Sequence, residues 1–366
     1  MKIALVAAVD PEVSSSSGVR SYVLKLGQAL SKMGEEVVLL GLGKRDSTTD
    51  GIELVPVAPR VRNSAEFVLA LSRFLRQWDG DVAVIHAQRP DDLIPFHLRL
   101  PGVPKVVTLH GVHSVHVQAR RGRLVASAYR RGERYSLERT RSVLAVSRAT
   151  QEYFAKRYPQ LAARIRFIPA GIDFELFSLR DGAEAKRRLG IPPEDKLVTF
   201  VGRLAPEKRP FRILEEFESL HAIHPDTHLL MVGDGPLEVQ VRKAAAGVVG
   251  STEIRGPVPQ IELAQILSGS DLLVVASTHE GLPTVVLEAL ACGTPVVGTE
   301  VGILPDVIRP GVNGYLAATL SEIGALMEKA LYETTWVRAD CRASVRVFGW
   351  NQVAPAILEV YREIAG

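Results

Sequence analysis

The sequence predicts two doubly wound α/β units, each a mostly parallel sheet covered by helices on both faces. Three observations carry that prediction. Short apolar runs alternate with amphipathic segments along the whole chain, the alternation pauses and restarts near residue 175, and 366 residues are too many for one small core. Apolar residues make up 46% and charged residues 23%, an ordinary globular mixture.

In the first series the runs KIALVAAV, EEVVLLGLG, DVAVIHA, PKVVTLH and SVLAVS are nearly continuous in Val, Ile and Leu. Strands of a parallel sheet read that way because both of their faces are covered. Between the first two, GVRSYVLKLGQALSKMG places Val19, Tyr22, Val23, Leu26, Leu30 and Met33 on one helical face, and Gly34 supplies a stop. The second series follows the loop IPAGIDFELFSLRDG and contains KLVTFVG, HLLMVG, DLLVVAS and TPVVGT. The expected divisions are therefore 1–175, 176–347 and a final helical stretch 348–366, NQVAPAILEVYREI, returning to the first unit. In such sheets ligands bind beyond the carboxyl ends of the strands, so two facing units point to a cleft between them and to the loops after each strand.

Cys292 and Cys341 are the only cysteines, which excludes a disulfide framework and suits a reducing compartment. The opening MKIALVAAVDPE reads as a strand, without the basic flank and cleavage site of an export signal. No apolar run approaches the roughly 20 residues that span a bilayer. The expected location is the cytoplasm, free or on the inner face of the plasma membrane. Charge is uneven: residues 1–175 carry 26 Lys and Arg against 17 Asp and Glu, and the remainder 18 against 24. That asymmetry suits an anionic partner for the first half.

Glu280 falls in the loop after DLLVVAS, and Glu288 lies eight residues on in an apolar helix whose first turn suits Pro283. The free amides of that helix start, near Thr284 and Val285, form an anion site, and acids flanking such a site suit a ligand with both phosphate and sugar hydroxyls. The plain alternative is a loop acid and a solvated helix position. After KLVTFVG, Arg203 and Lys208 share one loop and together can neutralise a diphosphate without a metal, or form an ordinary basic surface loop. Gly233 and Gly235 end the next strand, allowing either close approach of a ligand or a turn. In the first unit Gly18 opens a helix behind four serines, without the G-x-G-x-x-G spacing of a dinucleotide site. His110 follows a strand end, and His113 and His116 lack the neighbours that would complete a zinc site. A G-x-S-x-G elbow and a Walker A loop are both missing, which disfavours ester and nucleotide hydrolysis.

Several of these stretches recur together. They are Gly18 in its serine-rich loop, Thr-Leu-His ending at His110, Ile-Pro-Ala-Gly-Ile-Asp at 168–173, and Val-Gly-Arg-Leu at 201–204 with Glu207-Lys208. Glu280 spaced to Glu288, and Phe348-Gly-Trp350, complete the set. In that order, over almost the whole chain, they resemble the retaining glycosyltransferases of family 4, with the GT-B fold of two Rossmann-like domains. The resemblance implies transfer of a sugar from a UDP- or GDP-sugar to a hydroxyl of a glycan, lipid or lipid-linked acceptor, with no metal and no cofactor. It implies that Arg203 and Lys208 hold the diphosphate, that Glu280 and His110 contact the sugar, and that Glu288 binds the ribose. Gly18, Gly202, Gly233, Gly281, Leu282, Pro283, Thr284 and Val285 complete the donor side. Two positions depart from the family pattern: Ala170 stands where many relatives carry Asn, and Arg209 where they usually carry Gly. A GT-B relative such as a sugar-nucleotide epimerase, or a sugar-binding protein without chemistry, is the competing reading.

Residues 120–141 hold Arg120, Arg121, Arg123, Arg130, Arg131, Arg134, Arg139 and Arg141 among apolar and aromatic residues. A basic amphipathic helix of this kind suits an anionic membrane surface or an anionic acceptor, or else a solvated face paired with Glu133 and Glu138. Nucleic acid is disfavoured, since no recognised module is present.

Overall fold

The computed structural model describes residues 1–12, 18–247, 251–280 and 283–366, with the backbone alone for 113–121, 123–124 and 251. By contacts the chain divides into two compact units, Met1–Gly171 with Trp350–Gly366, and Ile172–Gly349.

The first unit is built on eight strands: β1 (Lys2–Val6), β2 (Glu36–Leu42), β3 (Ser47–Thr49), β4 (Ile52–Ala58), β5 (Val84–Ala87), β6 (Lys105–Leu109), β7 (Ser142–Ala145) and β8 (Ile165–Phe167). Their order is β3-β4-β2-β1-β5-β6-β7-β8, parallel throughout except for the antiparallel β3–β4 pair. The five predicted runs are the five strands β2, β1, β5, β6 and β7 that sit side by side in the middle of the sheet. β3, β4 and β8 lack a run of that kind because they lie towards the edges. β4 has its first residues alternately buried and exposed and carries Pro56.

The helix Gly18–Lys32 buries the expected Tyr22, Val23, Leu26 and Leu30, and with them Gly27, while Val19 is half-buried. Met33, expected on the same face, lies past the helix end and is 40% exposed, because the chain turns away at Gly34. The helix Trp350–Ala365 packs on Gly18–Lys32 although it follows the second unit in sequence. Ion pairs Arg166–Glu363 at 2.6 Å and Arg362–Glu35 at 3.1 Å tie it down. Gly171 is obligatory there, since a Cβ would fall 2.3 Å from the Trp350 ring.

The expected single basic helix is interrupted. Its backbone runs through His113–Arg139 but breaks at Gly122, where φ is 79° and ψ 174°. Arg120 and Arg121 precede the break, and Arg123, Arg130 and Arg131 follow it. The side chains of Arg120, Arg121, Arg123, His113 and His116 lie outside the described residues. No helix among the described residues is long and apolar enough to cross a membrane.

The second unit carries β9 (Lys196–Val201), β10 (Thr227–Val232), β11 (Ser251–Arg255), β12 (Leu272–Val275), β13 (Val296–Thr299) and β14 (Gly314–Ala317), all parallel in the order β11-β10-β9-β12-β13-β14. β9, β10, β12 and β13 are the four predicted runs and occupy the centre, with β11 and β14 at the edges. Buried Val198, Phe200, Leu229, Met231, Leu272 and Val274 face one helical layer, and Leu273, Val275 and Val296 face the other. Each such side chain contributes about 1.5–3 kcal/mol. The result positions three neighbouring strand ends, those of β10, β9 and β12.

Candidate functional site

Those three strand ends hold the charged loops of the second unit. The β9 loop begins at Gly202 and reaches Lys208 in a short turn, Pro206–Lys208. Its backbone is locked to the β10 loop: the amide of Leu204 donates to the carbonyl of Asp234 at 2.6 Å, and the amide of Leu237 to the carbonyl of Leu204 at 2.9 Å. That contact explains the glycines after β10. A Cβ at Gly233 would fall 2.0 Å from the carbonyl oxygen of Gly202, and one at Gly235 2.4 Å from that of Leu204. Both residues also have positive φ, 139° and 155°. In this structure the close approach they allow is of one loop backbone to another.

The β9 loop is equally tied to β12. The amide of Thr278 donates to the carbonyl of Glu207 at 2.8 Å. Lys208 Nζ forms an ion pair with Glu280 Oε1, and the Ser277 hydroxyl donates to the same oxygen at 2.7 Å. Ser277 is itself buried, and its carbonyl accepts from the Thr299 hydroxyl at 2.7 Å. Glu280 is only 10% exposed and Lys208 21%, so this charge pair sits in a partly dried pocket where its field is stronger than in water. Arg203 is exposed. Arg209 adopts a left-handed conformation, φ 52° and ψ 51°, directly before the helix Pro210–Ile223. Such backbone costs a non-glycine residue about 1 kcal/mol.

Beyond Glu280, the helix Thr284–Ala291 starts without a side-chain cap. Pro283 stands one residue before the first turn rather than within it, and its carbonyl accepts from the amide of Val286 at 3.0 Å. The amides of Thr284 and Val285 therefore head the helix, with no preceding helical turn among the described residues. Glu288 is not a solvated position. It is 9% exposed, and burial pushes its carboxyl up to about 7, opposed by a hydrogen bond with Thr284. Gly281 and Leu282 lie outside the described residues.

The first unit offers a different arrangement at the ends of β1, β5 and β6. His110 Nε2 lies 2.8 Å from Gln88 Oε1, and its ring meets Tyr22 edge-on at 4.8 Å. Beneath them, buried His86 bridges Thr108 Oγ1 at 2.7 Å and the Tyr361 hydroxyl at 2.5 Å, while Tyr22 reaches Thr108 at 3.3 Å. Burial depresses His110 to about 4 and His86 to about 3, so both rings are neutral at physiological pH. Gly18 opens its helix with free space where a Cβ would be.

The structure thus joins Lys208 to Glu280 and places Gly202, Gly233, Pro283, Thr284, Val285 and Glu288 on the same three strand ends and the helix that follows. His110 and Gly18 belong to the other unit. Ser277, Thr299 and Gln88 are additions that the sequence did not single out. Each ends or follows a strand, and that position was the only signal available.

A family profile described as Glycosyltransferase Family 4 matches residues 16–176, and one described as Glycosyl transferases group 1 matches residues 181–333. The chain is similar to the 2-deoxystreptamine N-acetyl-D-glucosaminyltransferase of Streptomyces fradiae, 28% identical over 356 residues, covering 89% of this chain and 84% of that one. In structure it is similar to a sucrose-phosphate synthase from Thermosynechococcus elongatus, with a TM-score of 0.84 at 22% identity over 99% and 98% of the two chains. It is also similar to the Anabaena protein HepE in complex with UDP-glucose, with a TM-score of 0.77 at 17% identity over 99% and 100%.

Proposed function

From the premise that the chain belongs to the group 1 and family 4 glycosyltransferases, of GT-B fold, we propose that it transfers a hexose from a UDP- or GDP-sugar to an acceptor hydroxyl with retention of anomeric configuration. The observation that carries the reading is the Lys208–Glu280 pair beside the uncapped helix start at Thr284. The complex of HepE with UDP-glucose supports a uridine nucleotide as donor.

On this reading the anomeric C–O bond breaks, with its electron pair passing to the diphosphate. Lys208, Arg203 and the amides of Thr284 and Val285 take up that developing charge in place of a divalent metal. The acceptor oxygen forms the new bond on the same face, and its proton passes to the departing phosphate oxygen. Glu280, aimed by Ser277 and Lys208, accepts hydrogen bonds from sugar hydroxyls, and Glu288 does so from the ribose. Neutral His110 serves as a hydrogen-bonding partner for the sugar rather than as a charge. Arg209, where relatives usually carry Gly, adds a cation beside the phosphate loop and bears on donor choice. The acceptor is a hydroxyl of a glycan, lipid or lipid-linked molecule. The basic segment after Gly122 supports a site of action on the inner, cytoplasmic membrane surface.

Calorimetric titration with UDP, GDP and ADP in EDTA tests the donor site. Binding of one of them at micromolar affinity or better is the expected result, and its base narrows the donor. If none binds, with or without added magnesium, the reading fails.

A further inference from the structure

Away from these strand ends, the first unit has a cavity of about 430 Å³ whose charged walls are Arg130, Arg131, Arg134 and Arg157. The local sequence explains its sign. Ser127, Arg130, Arg131 and Arg134 recur at i, i+3, i+4 and i+7, so one helical face carries a hydroxyl and three guanidinium groups. Arg157 ends the helix Arg148–Arg157, and Tyr158 and Gln160 follow it to form the opposite wall.

No acid lines the cavity. Of the two acids in that helical stretch, Glu138 is occupied by Arg134 at 2.7 Å and by the Gln160 amide at 3.3 Å. Glu133 points inward, is 1% exposed, and accepts from the Tyr158 hydroxyl at 2.9 Å. Burial raises its pKa, opposed by the Tyr158 hydroxyl and by the charges of Arg157 and Arg130. Guanidinium forks match phosphate oxygens bidentately. The volume exceeds that of a bare phosphate and falls within the range of small-molecule pockets.

We propose that this cavity binds the phosphate monoester of a small phosphorylated ligand, whether a soluble ester or a lipid headgroup, at a site separate from the one that holds the nucleotide. The proposal does not rest on the transferase reading.

The test compares the wild-type chain with Arg131→Gln/Arg157→Gln and with Lys208→Ala. Calorimetry with inorganic phosphate and glycerol 3-phosphate at low salt probes the soluble source. Sedimentation with vesicles of phosphatidic acid in phosphatidylcholine, against pure phosphatidylcholine, probes the lipid. Both exchanged arginines are exposed, and Arg131→Lys/Arg157→Lys keeps their charge if the glutamine variant does not fold. The expected result is binding that weakens about tenfold or more in the glutamine variant, is retained largely in the lysine variant, and is unchanged in Lys208→Ala. Binding of the soluble ester identifies a free ligand; binding only to phosphatidic acid vesicles identifies a headgroup. Equal binding by wild type and glutamine variant, binding by neither, or loss in Lys208→Ala alone overturns the proposal. The last outcome would leave the nucleotide site intact as a reading.

Discussion

The strand ends of the two units solve different chemical problems with the same architecture. In the second unit they present ions: Lys208 and Glu280 are paired and partly exposed, and Arg203, on the same loop as Lys208, is exposed. In the first unit the strand ends present neutral hydrogen-bonding groups, with His86, Thr108, Tyr22 and Tyr361 linked below Gln88 and His110. Burial keeps both histidines uncharged. An ionic surface suits stabilisation of a charge that grows during reaction. A neutral network suits fixed orientation of hydroxyl groups, whose charge does not change.

The sharpest way to break this contrast is at its ionic side. Lys208→Ala and Glu280→Ala are each expected to lower kcat by about 10²–10³-fold with the fold retained, as loss of a preorganised charge does. Steady-state rates with the matching donor check this, and near-normal rates in both variants would remove the site assignment.

Glu288 comes next, and its readout is stability. Its carboxyl is raised from 4.5 to about 7 in the folded chain. Below pH 4.5 both states hold the proton and the shift costs nothing. Between pH 4.5 and 7 the unfolded chain releases a proton that the folded chain keeps, so stability falls as pH rises, by on the order of 3 kcal/mol in full. Glu288→Gln abolishes that slope, so its Tm should gain on the wild type between pH 5 and pH 8. A Tm difference that stays constant with pH would contradict the burial of this acid.

Ser277→Ala removes one hydrogen bond to a charged oxygen, and about a tenfold loss in kcat/KM is expected. Rescue by Ser277→Thr separates a lost hydrogen bond from a general disturbance. At the neutral side, His110→Ala should cost a few-fold to about tenfold. Activity should show no titration near pH 6.5 from this ring, since its own value lies near 4. A wild-type inflection at pH 6.5 that vanishes in His110→Ala would mean that the ring is charged at work.

The central strands of both sheets were legible because burial on both faces writes itself as unbroken Val, Ile and Leu. The edge strands β3, β8, β11 and β14 were not, because edge positions need no such run. Lys208 and Glu280 stood out singly, each by its place after a strand, but the ion pair that joins them was not legible, because it links two loops far apart in sequence. Ser277 and Thr299 were hidden, since a strand-terminal hydroxyl looks alike whether it aims a carboxylate or closes a turn. Gly233 and Gly235 read as points of close approach to a ligand or as a turn; the approach the structure shows is of another loop, which depends on contacts between distant segments. The break at Gly122 was missed because the arginine pattern continues across it.

The helix Trp350–Ala365 belongs to the first unit but is synthesised after the whole of the second. At about 5–20 residues per second, the ribosome delivers it roughly ten seconds or more after Gly171 has emerged. During that interval the surface that will receive it, including His86 and the buried side of Gly18–Lys32, waits without its cover. Nascent chains halted before Trp350 should therefore be open to chaperone capture and proteolysis in their first half, and Tyr361 closing onto His86 marks the moment when that vulnerability ends.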